Sequence, residues 1–391
     1  MRWFRLCFVI CAVTVALQSA AGNSVAPDKA KACAVPAFGA DRSTVIQTCT
    51  ALLQRSDISD EERTRLLVVR GRTYHMSQNL DAAIQDFEEA INLSPKDPEL
   101  RVRRGWTALD KREFANAVEF AGQAVSLDAN DADAYALLGA IGARAGNLGM
   151  AKAGYDKALE LKPDDVVARF NRYLLYKRVH AHDAALKELD TLLQSQNADL
   201  DTRFAIKENR EMSYRTVVRI ERVELLEKMG RYDDSERAAS ELVELEPGPV
   251  SFAWRGFVYL GRSQFEKAQA DADRALSYHD GFWLPHSLQG HIFLYTRQYE
   301  PAVESFTQAI GSFPESGKNY WGRAIALRAL KRFEDATNDA LKAVEIDGAF
   351  ANQIVGKLTK LGYLNVGAQE NDLVPAERDA VRACMLDERC W

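Results

Sequence analysis

The chain has 391 residues, of which 47% are hydrophobic and 27% are charged, and its formal net charge at pH 7 is -6. This hydrophobic fraction is ample for a packed core. Because positive and negative charges nearly balance, nothing in the composition points to a surface for nucleic acid or for an anionic membrane. We therefore expect no nucleic-acid partner.

Residues 1–21 have the pattern of an export signal. Arg2 and Arg5 precede an apolar run from Leu6 to Leu17, and small residues at 19–21 offer a cleavage site. The run is shorter than the roughly 20 apolar residues of a membrane span. We expect cleavage near Ala21, a periplasmic or secreted mature protein, and no membrane insertion after cleavage, since no later segment has the length and apolarity to cross a bilayer.

Cleavage leaves four cysteines in two close pairs, Cys33 with Cys49 and Cys384 with Cys390. Disulfides form and persist in oxidising compartments. An exported chain is therefore predicted to carry two local disulfides, one near each end; the alternative is free structural thiols. Residues 22–63 are predicted to form an N-terminal capping region, in which Thr44 to Leu53 reads as an amphipathic helix.

From residue 64 onward, small residues recur at a step of 34. The recurring positions are Gly71, Gly105 and Gly139, then Ala83, Ala117, Ala151 and Ala185, and later Ala268, Ala302 and Ala336. In the first unit, Ala83, Phe87 and Ala90 fall on one helix face, and Pro95 ends that helix. Breakers at Gly146, Gly230 and Gly261 indicate turns, where glycine can adopt the left-handed conformation that stops a helix.

Two units show the full pattern. The third has Tyr135, Leu138, Gly139, Ala151, Tyr155, Ala158 and Pro163, and the seventh has Gly290, Phe293, Ala302, Phe306, Ala309 and Pro314. This pattern resembles the tetratricopeptide repeat family. The resemblance implies an all-α fold, a right-handed superhelical solenoid of antiparallel helix pairs. We place four repeats at 64–199 and four at 216–350.

Residues 200–215 interrupt the register between the fourth and fifth repeats. The stretch contains neither Pro nor Gly and is rich in helix-forming residues. We interpret it as a helical insertion, either an extended helix or an additional short one.

The first helices of the pairs are expected to line a concave groove that binds a protein or a peptide. The groove candidates are Arg72, His75, Trp106, Phe170, Lys177, Phe257, His291, Trp321 and Arg328. Aromatic residues and arginine make strong anchors when a partner buries them; the alternative is that each packs between repeats. The family's clamp for a C-terminal carboxylate uses Lys and Asn where this chain has Val68 and Arg72, so that clamp is not predicted.

Residues 351–391 are predicted to form a C-terminal helical cap. Within them, Leu358 to Tyr363 and Pro375 to Val381 show a weak similarity to half of a small helical peptidoglycan-binding domain. A cell-wall-associated protein that binds peptidoglycan through this segment is the alternative function.

No common catalytic or cofactor-binding signature is present in the sequence. The histidines are scattered, with His180 and His182 at a turn, and give no converging set of metal ligands. We therefore expect no metal, no cofactor and no enzymatic activity, and we interpret the chain as a non-enzymatic binding scaffold.

Overall fold

The computed structural model describes residues 41–201, 203–206, 210–278, 281–346, 358–362 and 375–386. The predicted export signal, Cys33 and Cys390 lie outside these ranges. The chain divides into two compact units, with the boundary between Val218 and Arg219. We refer to the described residues up to Val218 as the N-terminal unit and to those from Arg219 as the C-terminal unit.

The N-terminal unit consists of one capping helix, four helix pairs and a hairpin. Its helices are α1 (Arg42–Leu53), α2 (Asp60–Met76), α3 (Leu80–Leu93), α4 (Pro98–Asp110), α5 (Phe114–Leu127), α6 (Ala132–Ala145), α7 (Leu148–Leu161), α8 (Val166–Arg178) and α9 (His182–Gln194). A short 3-10 helix (Ala198–Asp201) and the strands β1 (Arg203–Ile206) and β2 (Arg210–Ser213) follow.

The C-terminal unit contains four further pairs and a final helix. These are α10 (Tyr214–Lys228), within which the unit boundary falls, α11 (Tyr232–Leu245), α12 (Pro249–Gly261), α13 (Phe265–Leu276), α14 (Trp283–Tyr295), α15 (Tyr299–Ser312), α16 (Gly317–Ala329), α17 (Phe333–Ile346) and α18 (Pro375–Leu386). The predicted class, an all-α solenoid of antiparallel helix pairs, is confirmed within each unit, with the hairpin as its exception.

Local sequence explains where the helices begin and end. Asp97, Asp131 and Asp165 each precede a first helix and accept hydrogen bonds from backbone N–H groups of its first turn, which satisfies donors that the helix itself cannot. Every turn between the two helices of a pair contains one residue with positive φ. These residues are Gln78, Arg112, Gly146, His180, Gly230, Ser263, Arg297 and Lys331.

The prediction that Gly261 stops its helix by adopting the left-handed conformation is wrong. Gly261 is the last helical residue of α12, and the left-handed residue is Ser263, with φ 57°. The geometry of the turn fixes which position is left-handed. The chain accepts that conformation even where the residue is not glycine, because the surrounding helix pair holds it there.

The prediction of a helical insertion at 200–215 is also wrong. Strands β1 and β2 form an antiparallel hairpin in which Arg203 is opposite Ser213 and Ile206 is opposite Arg210. The absence of helix breakers is only a weak preference, and pairing between strands can override it. Just after the hairpin, the Arg215 guanidinium bonds both carboxylate oxygens of Asp201, at 2.7 and 3.1 Å.

The two ends of the repeat array are covered by helices. Val45 and Cys49 of α1 form a buried cluster with Leu66 and Val69 of α2. At the other end, Leu358, Ala380, Val381 and Cys384 share a buried cluster with apolar residues of α16 and α17. Cys49 and Cys384 each take part in a disulfide. Because Cys33 and Cys390 are outside the described ranges, the predicted pairs Cys33–Cys49 and Cys384–Cys390 stay predictions.

Candidate binding face

The first helices of successive pairs contact one another directly, α4 with α6 and α6 with α8 in the N-terminal unit, and α12 with α14 and α14 with α16 in the C-terminal unit. Their side chains therefore form a continuous surface in each unit, which we call the first-helix face. The nine residues predicted to line the groove all lie on first helices.

Three of these nine residues are buried. Trp106 is 7% exposed and belongs to a core cluster with Leu137, Ala140 and Ile141 of α6. Phe170 is 8% exposed, and its ring lies 5.4 Å from that of Tyr173. For Trp106 the structure thus favours packing between repeats over contact with a partner, and Phe170 is buried beside Tyr173 of its own helix.

His75 is the third buried residue, and it is held by polar contacts. Its Nε2 lies 2.6 Å from Oδ2 of Asp110, and Oδ1 of the same carboxylate accepts a hydrogen bond from Arg144 at 2.5 Å. Asp110 therefore links three consecutive first helices. The prediction singled out the histidine but missed the carboxylate and the arginine, because their meeting depends on the stacking of repeats.

Arg72 differs from its neighbours on α2. Within the described chain it has no hydrogen bond and no ion pair, although it is partly buried. Burial and the nearby Arg103 lower the pKa of Arg72 to about 10, while Glu99 opposes this shift. Arg103 itself is paired with Glu99. Arg72 therefore stays charged at neutral pH in a site that solvates it poorly.

Aromatic rings dominate the first-helix face of the C-terminal unit. Phe257 is partly exposed, with its ring centroid 6.4 Å from Trp254 and 6.0 Å from His291. Burial and the charge of Lys318 lower the pKa of His291 to about 4. His291 is thus neutral near pH 7, and the face behaves as an aromatic platform.

The remaining predicted residues are partly exposed. The Lys177 ammonium lies 5.6 Å from the centroid of the Tyr173 ring. Trp321 packs against the cluster that contains the C-terminal helix, and Arg328 lies near the end of α16. Their role in binding a partner stays a prediction.

Sequence reasoning missed Glu227, which occupies the register position of His75, Lys177 and Arg328 in the fifth repeat. Its Oε1 is buried without a hydrogen-bond partner in the described chain. Extending the same register count to the fifth repeat would have placed this carboxylate on the first-helix face.

Within the described ranges, no group of three or more His, Cys, Asp or Glu side chains could hold a metal ion. Among those same residues, no helix combines the length and the apolarity that crossing a membrane requires.

Comparison with protein families gives three matched segments, all described as tetratricopeptide repeat: residues 64–97, 132–165 and 287–352. The first two are the first and third predicted repeats. The chain carries tetratricopeptide repeats. The third segment covers most of the seventh repeat and all of the eighth.

Relatives of these tetratricopeptide repeats are distant. DnaJ homolog subfamily C member 7 of Homo sapiens is 22% identical over 303 residues, covering 72% of this chain and 60% of the relative. BBSome complex member BBS4 of Bos taurus is 24% identical over 272 residues, covering 68% of this chain and 48% of the relative. The chain thus spans three fifths or less of these relatives' lengths.

Among solved structures, a tetratricopeptide repeat protein from Parabacteroides merdae is similar with a TM-score of 0.47 and 18% identity, over 68% of this chain and 99% of that one.

Proposed function

We propose that this protein is a non-enzymatic scaffold of the periplasm or extracellular space that binds an extended segment of a protein partner on its first-helix faces. Tetratricopeptide repeats bind protein or peptide partners. Export is supported by the basic start and the apolar run of residues 1–21.

The observation that carries the proposal is Arg72. A partly buried guanidinium without a counter-ion costs free energy, because it has lost part of its hydration and gained no partner. A carboxylate of a bound segment would offset that cost. The neighbouring Arg103 adds positive charge, although it is already paired with Glu99.

The C-terminal segment supports a capping role better than a separate wall-binding role. Ala380, Val381 and Cys384 of α18 are buried together with Ala340 and Val344 of α17. These three residues of α18 are therefore used in covering the last helix pair.

The test begins with partner identification in the native cells. A photo-crosslinking amino acid at Val68, a partly exposed position one turn before Arg72, is expected to trap a partner. Arg72→Gln should lower the affinity of the purified pair about tenfold, since a charge-assisted hydrogen bond is lost. Arg65→Gln, an exposed residue of the same helix with the same change of charge, is the control.

Equal affinities for the wild-type protein and Arg72→Gln would refute the assignment of this face. Export is checked by fractionating the cells and sequencing the N-terminus of the recovered protein. The proposal requires a mature chain that starts near residue 22 outside the cytoplasm, and an intact N-terminus in the cytoplasm would refute export.

A further inference from the structure

Glu227, near the end of α10, is a carboxylate without a partner among the described residues. Its Oε1 is buried and accepts no hydrogen bond from the described chain. Among the described residues, no Lys, Arg or His lies within ion-pair distance of the Glu227 carboxylate. A buried acceptor with neither water nor a protein donor costs free energy, and the cost is greater when the acceptor is charged. A positively charged hydrogen-bond donor would offset this cost.

The surroundings of this carboxylate leave room for such a donor. Oε2 of Glu227 lies 3.6 Å from the point where a Cβ on Gly261 would stand, and apart from the two chain neighbours of Gly261 no other side chain of the described residues comes within 4 Å of that point. Gly261 is exposed and is the last residue of α12. The C-terminal end of a helix carries partial negative charge, which adds to the attraction for a cation.

An aromatic surface adjoins the same end of α12. Phe257 precedes Gly261 by one helical turn, so the two lie on the same side of the helix. The Phe257 ring is partly exposed and is flanked by Trp254 and by the neutral ring of His291. The face of an aromatic ring attracts ammonium and guanidinium groups.

The arginine next to Gly261 does not neutralise Glu227. Arg262 follows Gly261 directly, but its guanidinium is bound by Asp233 at 2.9 Å and by Glu236 at 2.7 Å. Its charge is therefore already balanced by the carboxylates of α11.

We propose that Glu227, Phe257 and the C-terminal end of α12 form a subsite for a basic side chain, arginine or lysine, of the bound partner segment. The carboxylate bonds the cationic head, and the face of the Phe257 ring attracts the same cation. The subsite is part of a face rather than an enclosed cavity, which suits a side chain of a polypeptide. It rests on the proposed function, because it needs a segment bound to the first-helix face.

The probe is an array of acetylated, amidated dodecapeptides in which each position in turn is fixed as Arg, Lys, Leu or Glu and the other positions are varied. The purified full chain is applied to the array, and the selected peptides are then measured by fluorescence anisotropy. We expect wild-type protein to prefer Arg or Lys at one position.

Glu227→Gln should weaken binding of these basic peptides about tenfold, through the loss of a charged hydrogen bond. Phe257→Leu should weaken it about fivefold, through the loss of the cation–π contact. The matched control is Glu304→Gln on α15, which removes the charge of an exposed glutamate. It should leave binding unchanged.

An equal loss in Glu227→Gln and Glu304→Gln would overturn the subsite, because overall acidity would then explain the binding. Binding of acidic or apolar peptides only would overturn the subsite and leave the proposed function standing, whereas no peptide binding at all would overturn both. Thermal unfolding of each variant verifies folding. If Glu227→Gln does not fold, unchanged binding by Phe257→Leu overturns the subsite.

Discussion

Arg255 and Asp271 join the two helices of one repeat through a two-point ion pair. Nε of Arg255 lies 2.8 Å from Oδ2 of Asp271, and Nη2 lies 2.7 Å from Oδ1. The same contact, between residues 16 apart, links Arg70 to Asp86 and Arg323 to Asp339. In each of these three repeats, a two-point Arg–Asp ion pair joins the two helices in addition to apolar packing.

Removing one partner of the Arg255–Asp271 ion pair should destabilise the C-terminal unit. Asp271 is 5% exposed, so Asp271→Ala leaves a partly buried guanidinium unpaired, and we expect a loss of about 3 kcal/mol. Replacing both partners, Arg255→Met with Asp271→Leu, should restore most of that loss. Urea unfolding checks this, and a double variant less stable than Asp271→Ala would contradict it.

Two glycines on facing helices mark the closest approach within the third repeat. A Cβ on Gly154 would lie 2.4 Å from N of Gly139 and 2.6 Å from its Cα. Backbone atoms cannot move aside as a flexible side chain can. Gly154→Ala should therefore cost about 3 kcal/mol in the free energy of unfolding.

The matched control is Gly122→Ala. It places a methyl group where nothing lies within 4 Å, inside α5, and should stabilise the protein by about 1 kcal/mol. Both variants can be compared by thermal unfolding. Similar effects in the two would show that the close approach does not control stability.

The left-handed turn position allows a test with opposite signs. Gly146 has φ 78°, and an added Cβ would meet nothing within 4 Å, so Gly146→Ala should cost about 1 kcal/mol through backbone conformation alone. Lys331 holds the equivalent position with φ 62°. Lys331→Gly should stabilise the protein by about 0.5 kcal/mol, since glycine adopts this conformation without strain. Chemical denaturation measures the free energy of unfolding of both variants. A change of the same sign in both would contradict the explanation by left-handed backbone conformation.

Asp133 should make stability depend on pH. Burial, reinforced by the charge of Asp165, raises the pKa of Asp133 from 3.8 to about 6, although Lys162 opposes the shift. Between those values the folded chain retains a proton that the unfolded chain has released. The stabilising contribution is therefore fully present below about pH 4 and is lost as the pH rises through about 6.

Asp133→Asn should remove this dependence. At pH 8 the variant should be more stable than wild type by about 2 kcal/mol, and at pH 4 the two should be alike. Urea unfolding at the two pH values measures the difference. The same gain at both values would rule out titration of Asp133 as the cause.

The sequence by itself determined the helix pairs. Small residues that recur at a step of 34 indicate that two helices approach closely at the same place in each unit. Gly71 packs against Phe87 in this way, and Gly290 packs against Phe306. The periodic pattern and the breakers are local signals, so they can be read without knowing which elements meet.

Only the tertiary structure decided which first-helix side chains remain available. Trp106 is buried because it shares a core cluster with residues of the next repeat, whereas Arg72 and Glu227 have no partner in the described chain. The hairpin at 203–213 likewise depends on backbone pairing between two strands. These outcomes arise from contacts between separate elements, and such contacts decide the burial and pairing of a side chain more strongly than its own propensity does.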